Sequence, residues 1–319
     1  MIVLACFAGS VLMSEMKGKI CIITGSNSGI GKETALSLAK MGATVVMVVR
    51  DQERGEKART EIVRQTGNNS VDLMFCDLSS MDSIRRFAKE FKKKYDRLDV
   101  LINNAGALFN KREVTSEGFE RTFAVNYLGP FLITHELLDL LKSSAPSRII
   151  NVSSGLAKNG MVDLDDLQSE KNYVGTKAYS PVRAPVYANT KLMLMMFTYE
   201  LARRLKGSGV AANVLMPGFV ATNLGKNSGS ISSSIMFKMV RPMQVGAKKG
   251  AETSVYLASS DEVKDVTGKC FAKKKEVMTC PASYGEELQK RLWDKTEIML
   301  GLAKNSKRNC KRAIPVPIP

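Results

Sequence analysis

The feature that most constrains the fold is a glycine-rich segment placed between an apolar run and a helix-like stretch. The segment is Thr24-Gly25-Ser26-Asn27-Ser28-Gly29-Ile30-Gly31, and it follows Ile20-Cys21-Ile22-Ile23. The apolar run predicts a buried parallel strand, and residues 32–41 predict a helix. Glycines permit a tight turn and a close approach of the backbone, while the helix N-terminus supplies N–H groups and positive dipole. This order therefore predicts a cradle for the pyrophosphate of a dinucleotide.

The same alternation of strand and helix continues along the chain. It predicts strands at 44–49, 71–75, 98–102, 148–152, 209–215 and 267–272, and helices at 83–95, 117–142, 187–205 and 247–259. Such alternation is typical of a single α/β domain with a doubly wound parallel sheet. We expect this domain to cover residues 17–303, with a substrate lid at about 223–246. Residues 1–16 are then an N-terminal extension and residues 304–319 a basic, proline-containing tail.

The charge balance is strongly basic, with 47 Lys+Arg against 31 Asp+Glu and a net charge of +16. Positive charge attracts polyanions, although a solvated basic surface is the simplest explanation. A nucleic-acid partner is not expected, because the sequence has no zinc pattern, arginine-rich helix or basic motif interleaved with aromatic residues. The basic tail could instead tether the protein to anionic membranes, which is a peripheral membrane contact.

The cysteines and the N-terminus bear on the compartment. The six cysteines include no Cys-x-x-Cys pair, which favours a reducing, cytoplasmic location. Residues 1–13 are apolar, but as a helix they would span about 20 Å of a hydrocarbon core of about 30 Å. We expect an extension without a role in the fold, and the alternative is a weak membrane anchor. The single histidine, His135, excludes histidine-based metal sites and is expected to pack within a helix.

The residue after the second predicted strand selects the cofactor. In NAD-binding proteins of this kind, an acidic residue at that point holds the ribose hydroxyls. Here Val49 is followed by Arg50, and a guanidinium suits the 2′-phosphate of NADP. Asp51 comes next and leaves NAD(H) as the alternative. The sequence thus favours NADP(H).

A phenol and an ammonium are placed four residues apart in Tyr187-Ala188-Asn189-Thr190-Lys191, on one face of a predicted helix. The unperturbed pKa of tyrosine is about 10. A nearby lysine charge, added to that of an oxidised nicotinamide, would lower it. Such a tyrosine can give a proton to a carbonyl or take one from an alcohol. Tyr173 and Lys177 have the same spacing, but prolines follow them and interrupt any helix, so Tyr187 is preferred.

Taken together, the motifs resemble the short-chain dehydrogenase/reductase family. They are Thr24-Gly25-x-x-x-Gly29-x-Gly31, Asn103-Asn104-Ala105-Gly106, Asn126, Ser153-Ser154, Tyr187-x-x-x-Lys191 and Pro217-Gly218, in this order over residues 17–275. Further segments look like the retinol dehydrogenase and protochlorophyllide reductase branch: Asp163 to Leu167, Glu200 to Leu205, and Arg291 to Asp294. The resemblance implies a Rossmann fold and a homo-oligomer.

The resemblance also assigns roles to individual residues. Ser154 would bind the substrate oxygen, Tyr187 would be the acid-base group, Lys191 would bind the nicotinamide ribose and lower the pKa of Tyr187, and Asn126 would hold a water linking Lys191 to solvent. Asn103, Asn104 and Gly106 could alternatively brace the sheet, and Asp77 could cap a helix. The implied cofactor-binding set is Gly25, Asn27, Ser28, Gly29, Ile30, Gly31, Arg50, Asp77, Leu78, Asn104, Ala105, Gly106, Tyr187, Lys191, Pro217, Gly218 and Thr222; no metal is expected.

The expected function is hydride transfer between NADP(H) and a small hydrophobic carbonyl or alcohol, such as an aldehyde, a ketone or a retinoid-like molecule. An apolar substrate surface could come from Met193, Met195, Met196, Met236 and Met239, although methionines at helical spacing also suit a plain core. Two alternatives stay open. One is a light-dependent pigment reductase of the protochlorophyllide type, and the other is a catalytically silent NADP-binding regulator or scaffold.

Overall fold

One eight-stranded sheet runs through the protein, in the order β3-β2-β1-β4-β5-β6-β7-β8. The computed structural model describes residues 15–171, 173, 185–218, 220 and 246–303. Strands β1 to β7 are parallel, and β8 is antiparallel to β7. The strands are β1 Ile20–Thr24, β2 Thr44–Val49, β3 Val71–Phe75, β4 Val100–Asn103, β5 Ser147–Val152, β6 Val210–Leu215, β7 Cys270–Ala272 and β8 Lys275–Glu276.

Helices cover both faces of the sheet because successive strand residues point to opposite sides. The helices are α1 Gly29–Lys40, α2 Gln52–Thr66, α3 Met81–Lys94, α4 Arg121–Phe123, α5 Gly129–Ser143, α6 Pro185–Arg204, α7 Ala247–Ser259 and α8 Glu286–Met299. Helices α1, α2 and α7 pack on one side, with a core that includes Ile23 and Val45. Helices α3, α5, α6 and α8 pack on the other, with a core that includes Ile22 and Val46. The doubly wound α/β fold expected from the sequence is confirmed.

The last helix, α8, is docked on α6 by an aromatic and ionic contact. Trp293 of α8 lies 4.7 Å from the ring of Phe131 and 5.6 Å from that of Phe197, measured between ring centroids. The guanidinium of Arg204 stands 4.3 Å over the Trp293 ring and is paired with Glu200 at 2.6 Å. Two of the segments that resembled one branch of the family thus meet here and fix the outer face of α6.

Several element boundaries differ from the sequence expectation. The predicted helix at 117–142 is divided into α4, a π-helical turn at Ala124–Leu128, and α5. Helix α1 begins at Gly29, within the glycine segment, and not at Lys32. The last parallel strand, β7, is short, and the chain turns back after it to form β8, which the sequence did not predict. Helices α2 and α8 also have no counterpart among the predicted helices. His135 is exposed on α5 and does not pack in the core, because it lies on the outer face of the helix.

Parts of the predicted organisation lie outside the described residues. These are residues 1–14 of the extension, the lid apart from Gly246, and the tail 304–319. Within the described residues, no helix combines the length and the apolar character that crossing a membrane requires.

Candidate active site

The glycine segment forms the turn between β1 and α1, and its glycines are required by close backbone contacts. Gly25 has φ +67°, and a Cβ built on it would lie 2.9 Å from the Cα of Ala105. A Cβ on Gly31 would collide with the carbonyl of Gly25 and the side-chain amide of Asn104. Gly29 also has a positive φ, +58°. The turn therefore brings the β1 end against the β4 end, and only glycine fits this approach.

Thr24 and Asn104 hold the two strand ends together. The hydroxyl of Thr24 accepts hydrogen bonds from the backbone N–H groups of Asn104 and Ala105, each at 3.0 Å. The side-chain amide of Asn104 donates to the carbonyl of Thr24 at 2.8 Å. Asn104 thus braces the glycine turn, which is the alternative role left open by the sequence. Its expected contact with a ribose stays a prediction.

The start of α1 fits an anionic group. Ser28 is the N-cap residue, yet its side chain makes no capping hydrogen bond, and the first turn carries no acidic residue. A helix N-terminus presents backbone N–H groups without helical partners. Among the described residues, the buried hydroxyl of Ser26 has no hydrogen-bond partner either. The donors of this turn are chemically suited to an anionic group. The expected contacts of Asn27, Ser28 and Ile30 with a pyrophosphate stay a prediction.

At the end of β2, Asp51 serves as the N-cap of the following helix. Its carboxylate accepts a hydrogen bond from the N–H of Arg54 at 3.0 Å and caps α2. Arg50, one residue earlier, is exposed, and it has no ion-pair partner among the described residues. The Asp51 carboxylate is therefore engaged in capping α2, whereas the Arg50 guanidinium is available for a ligand at the carboxyl end of β2.

The remaining expected cofactor contacts lie at the ends of β3 and β6. Asp77 accepts from the N–H of Ser79 at 2.9 Å and from its hydroxyl at 2.7 Å, so it forms a turn before α3, whose N-cap is Ser80. Leu78 is buried. Pro217 and Gly218 follow β6, where Gly218 has φ +83°. Thr222 lies outside the described residues.

Tyr187 is buried in the first turn of α6 and faces Ser154, the residue that follows Ser153 after β5. The Ser154 hydroxyl lies close enough to the Tyr187 hydroxyl to favour the ionised phenol. Burial raises the pKa of Tyr187 to about 12, and the Ser154 hydroxyl opposes part of that rise. The lowering expected from the sequence depends on the charge of Lys191 together with that of an oxidised nicotinamide, and it stays a prediction. In this arrangement desolvation dominates, and the phenol holds its proton firmly.

Lys191 is the second ionisable group of the site and is 3% exposed. Its Nζ donates to the carbonyl of Val152 at 2.9 Å and lies 5.7 Å from the centroid of the Tyr187 ring. Burial lowers the pKa of Lys191 to about 8. The hydroxyl of Ser153 donates to the backbone carbonyl of Lys191 at 2.8 Å. The spacing of four residues thus places phenol and ammonium on one face of α6, as predicted.

Asn126 lies in the π-helical turn and joins the segment after β4 to α6. Its Oδ1 accepts from the N–H of Ala107 at 2.7 Å, and its Nδ2 donates to the carbonyl of Ala107 at 2.9 Å and to Thr190 Oγ1 at 3.1 Å. Both ends of the amide are occupied by protein groups. Asn126 therefore positions α6 beside the site, and the water-holding role expected for it stays a prediction.

The alternative tyrosine and the methionines proposed from the sequence do not belong to the site. Tyr173 donates its hydroxyl to the carbonyl of Phe109 at 3.2 Å, and Lys177 lies outside the described residues. Met193, Met195 and Met196 are buried in the core around α6 and do not form a substrate surface. Met236 and Met239 lie outside the described residues.

Three contributors were missed by the sequence reading. Thr190 donates a hydrogen bond to the carbonyl of Tyr187 at 2.8 Å and accepts one from the side-chain amide of Asn126. Leu108 and Leu156 form a small apolar cluster with Tyr187. Thr190 could have been noticed because it lies between Tyr187 and Lys191. No sequence signal marks the two leucines, since their segments carry no regular hydrophobic period.

Comparison with known proteins gives consistent relatives. The family model described as short chain dehydrogenase matches residues 19–166. Human retinol dehydrogenase 13 is 41% identical over 299 residues, covering 92% of this chain and 88% of that protein. Human retinol dehydrogenase 14 is 42% identical over 307 residues, covering 91% and 88%.

Solved structures agree with the fold. An uncharacterised protein from Mycobacterium paratuberculosis has a TM-score of 0.71 and 30% identity, and the match covers 91% of this chain and 96% of that chain. The NADP active-site complex of RhlG from Pseudomonas aeruginosa has a TM-score of 0.63 and 25% identity, with 81% and 95% covered. The glycine turn and the cluster of Ser154, Tyr187 and Lys191 agree with these relatives. The chain therefore belongs to the short-chain dehydrogenase family of oxidoreductases, which use a nicotinamide cofactor.

Proposed function

We propose that this protein is an NADP(H)-dependent oxidoreductase that interconverts a hydrophobic carbonyl compound and its alcohol. The observation that carries the proposal is the buried pair of Tyr187 and Lys191 on one face of α6. The Lys191 Nζ donates to the carbonyl of Val152, which places this pair at the carboxyl edge of the sheet. In open α/β sheets, ligands bind outside the carboxyl ends of the strands. The glycine turn lies at the same edge.

Tyr187 and Ser154 act on the substrate oxygen. NADP(H), when bound, supplies or accepts the hydride. In the reductive direction Tyr187 gives its phenolic proton to the carbonyl oxygen, and in the oxidative direction the phenolate takes the proton of the alcohol. The Ser154 hydroxyl, which lies beside Tyr187, orients the same oxygen. The raised pKa of Tyr187 keeps it protonated at neutral pH, which suits reduction.

Lys191 adjusts the charge beside Tyr187. Its ammonium is close to losing its proton near neutral pH, because burial lowers its pKa to about 8. A charged Lys191 favours the phenolate, whereas a neutral one favours the phenol. We assign its other role, binding of the nicotinamide ribose, from the motif position alone.

The preference for NADP(H) is supported at the end of β2. Asp51 uses its carboxylate as the cap of α2, and Arg50 is exposed beside it. A guanidinium binds a phosphate in a bidentate, charge-assisted manner. The proposed 2′-phosphate site therefore rests on Arg50. The RhlG relative was solved with NADP, which agrees with this choice.

The substrate class follows from the apolar surroundings of Tyr187 and from the relatives. Leu108 and Leu156 contact Tyr187, so a substrate oxygen at this tyrosine would sit beside aliphatic side chains. The curated relatives are retinol dehydrogenases. We therefore favour a long, apolar aldehyde or alcohol, such as a retinoid.

A reductase assay in the dark tests the proposal. The purified protein is mixed with NADPH or NADH and a panel of apolar aldehydes and ketones, and absorbance at the reduced-nicotinamide band is followed. We expect loss of NADPH absorbance with at least one long apolar aldehyde. Binding of NADPH without turnover across the panel in the dark would contradict the proposal and favour a pigment reductase, if light restores turnover with pigment, or a silent regulator.

A further inference from the structure

The turn between β7 and β8 has an unusual backbone. Its two central residues, Lys273 and Lys274, have φ +51° and +62°. Positive φ at both positions is the type I′ pattern, for which Asn-Gly is preferred. Side chains with a Cβ are strained there, and such strain at an exposed position points to a function for the side chains. With Lys275, three consecutive exposed lysines occupy the tip of this hairpin.

The hairpin tip lies at the same edge of the sheet as the catalytic residues. Val152 of β5, Leu215 of β6 and Phe271 of β7 lie side by side across the sheet. The register pairs Val152 with Leu215, and Leu215 with Phe271. Ser154 comes two residues after Val152, and Lys273 comes two residues after Phe271. Adjacent strands are about 4.8 Å apart, so the two positions are separated by about 10 Å across the sheet.

Helix α7 adds two lysines beside the turn. The backbone N–H of Lys274 donates to Thr253 Oγ1 at 3.2 Å, and Lys249 lies one helical turn before Thr253 on the same face. Lys248 and Lys249 are exposed in the first turn of α7. That turn is close to the cofactor cradle, since a Cβ on Gly250 would lie 3.2 Å from Ile30. We call Lys248, Lys249, Lys273, Lys274 and Lys275 the basic rim.

The basic rim carries charge that its neighbours do not neutralise. Glu252 is paired with Lys249 at 3.5 Å, and Glu276 is paired with Lys269 at 2.8 Å. Among the described residues, Lys248, Lys273, Lys274 and Lys275 have no ion-pair partner. Four unpaired ammonium groups on two elements form a broad electropositive surface beside the site.

We infer that the basic rim docks on the surface of an anionic lipid bilayer, with the active-site edge turned toward the lipid. Lysines near such a surface are attracted by its negative potential, and a bilayer can engage charges that are spread over α7 and the hairpin. The choice of lipid as the occupant rests on the proposed function, because an apolar substrate dissolves in the bilayer. Single-stranded nucleic acid fits less well, since its binding uses exposed aromatic side chains and the rim has none.

Vesicle sedimentation with matched variants tests this surface. The full chain is mixed with phosphatidylcholine vesicles, with or without phosphatidylserine, at low and at physiological salt. The rim variant is Lys273→Gln/Lys274→Gln/Lys275→Gln. The control is Lys89→Gln/Lys92→Gln/Lys93→Gln, on three exposed lysines of α3 that remove the same charge elsewhere. Lys248→Glu/Lys249→Glu tests the rim without touching the strained turn.

We expect wild type to bind the phosphatidylserine vesicles, and more weakly at higher salt. The triple rim variant should bind them roughly a hundredfold more weakly, the α7 variant should also lose binding, and the α3 control should stay close to wild type. Equal losses in the rim and α3 variants, or no vesicle binding by wild type, would overturn the inference. So would a rim variant that binds like wild type while removal of residues 304–319 abolishes binding.

Turnover of a water-soluble aldehyde with NADPH separates this inference from the proposed function. We expect the rim and α3 variants to turn it over like wild type, because no rim lysine contacts Tyr187 or Ser154. Absence of turnover in wild type would refute the proposed function and leave the vesicle result readable by itself.

Discussion

At the scale of residues, the site rests on two buried ionisable groups whose pKa values are moved by the same cause. Burial raises the pKa of Tyr187 to about 12 and lowers that of Lys191 to about 8. Both shifts favour the neutral form, as desolvation must. The site therefore holds a phenol that keeps its proton and an ammonium that is ready to release one.

The buried ammonium should make stability depend on pH. Between pH 8 and 10.5, Lys191 has released its proton in the folded state but keeps it in the unfolded state, so unfolding takes up a proton and stability rises with pH. We expect Lys191→Met to be more stable than wild type near pH 7, and that advantage to shrink by about 3 kcal/mol as pH rises through this window.

Urea unfolding of wild type and Lys191→Met at a series of pH values measures the effect. Other groups that titrate in this range, such as the buried cysteines, are present in both proteins and cancel in the difference. Two stability curves that run parallel between pH 7 and 10 would show that Lys191 is not a buried, charged group at neutral pH.

Arg50 should decide between the two nicotinamide cofactors. Removing a charge-assisted contact with the 2′-phosphate by Arg50→Ala should weaken NADPH binding by roughly tenfold to a hundredfold and leave NADH binding unchanged. Fluorescence titration of each cofactor measures this. Arg64→Ala, at the exposed far end of α2, is the charge-matched control. An equal weakening of both cofactors by Arg50→Ala would contradict the assignment.

The arrangement of the proposed catalytic residues could be predicted from sequence because their spacing is fixed by one helix and one strand end. Tyr187 and Lys191 are one helical turn apart, so any helix places them on one face. The burial that raises the pKa of Tyr187 could not be predicted, since Leu108 and Leu156, which pack on it, come from two other segments. The use of Asp51 as a helix cap likewise became visible only in three dimensions.

At the scale of elements, regular segments were predictable and interrupted ones were not. The bounds of β2, β3 and α7 coincide with the prediction, because their apolar patterns end at clear polar or glycine boundaries. The π-helical turn at Ala124–Leu128 was missed. Its residues are as apolar as those of an ordinary helix, and Asn126 within it bonds to Ala107 and Thr190 of two other segments, which no local pattern announces. The β7–β8 hairpin was missed because Lys-Lys is not a usual turn sequence.

That hairpin gives a stability prediction. Lys273→Asn/Lys274→Gly places the preferred residues at both positive-φ positions. We expect the free energy of unfolding to rise by about 1 kcal/mol or more, because left-handed backbone is costly for lysine. Chemical denaturation of the variant and wild type measures the change. Lys275→Asn, at ordinary φ in β8, should not stabilise, and a double variant no more stable than wild type would disprove the strain.

At the scale of the whole molecule, parallel strands bring distant residues to one edge. The glycine turn after β1, Arg50 after β2, Ser154 after β5 and Pro217 after β6 all emerge at the carboxyl ends of the sheet. The order of motifs was enough to predict this convergence, because a doubly wound sheet has few topologies. The contact of α8 with α6 through Trp293 was not predictable, since it joins segments about ninety residues apart without a shared pattern.

The transfer of a labelled hydride tests the central claim most directly. The protein is incubated with NADPH that carries deuterium at the transferred C4 position and with an apolar aldehyde, and the alcohol product is analysed by mass spectrometry. We predict that wild type yields alcohol with one deuterium, and that Tyr187→Phe binds NADPH like wild type but forms product at least about a hundredfold more slowly. Alcohol without deuterium, or equal rates in the two proteins, would contradict the account.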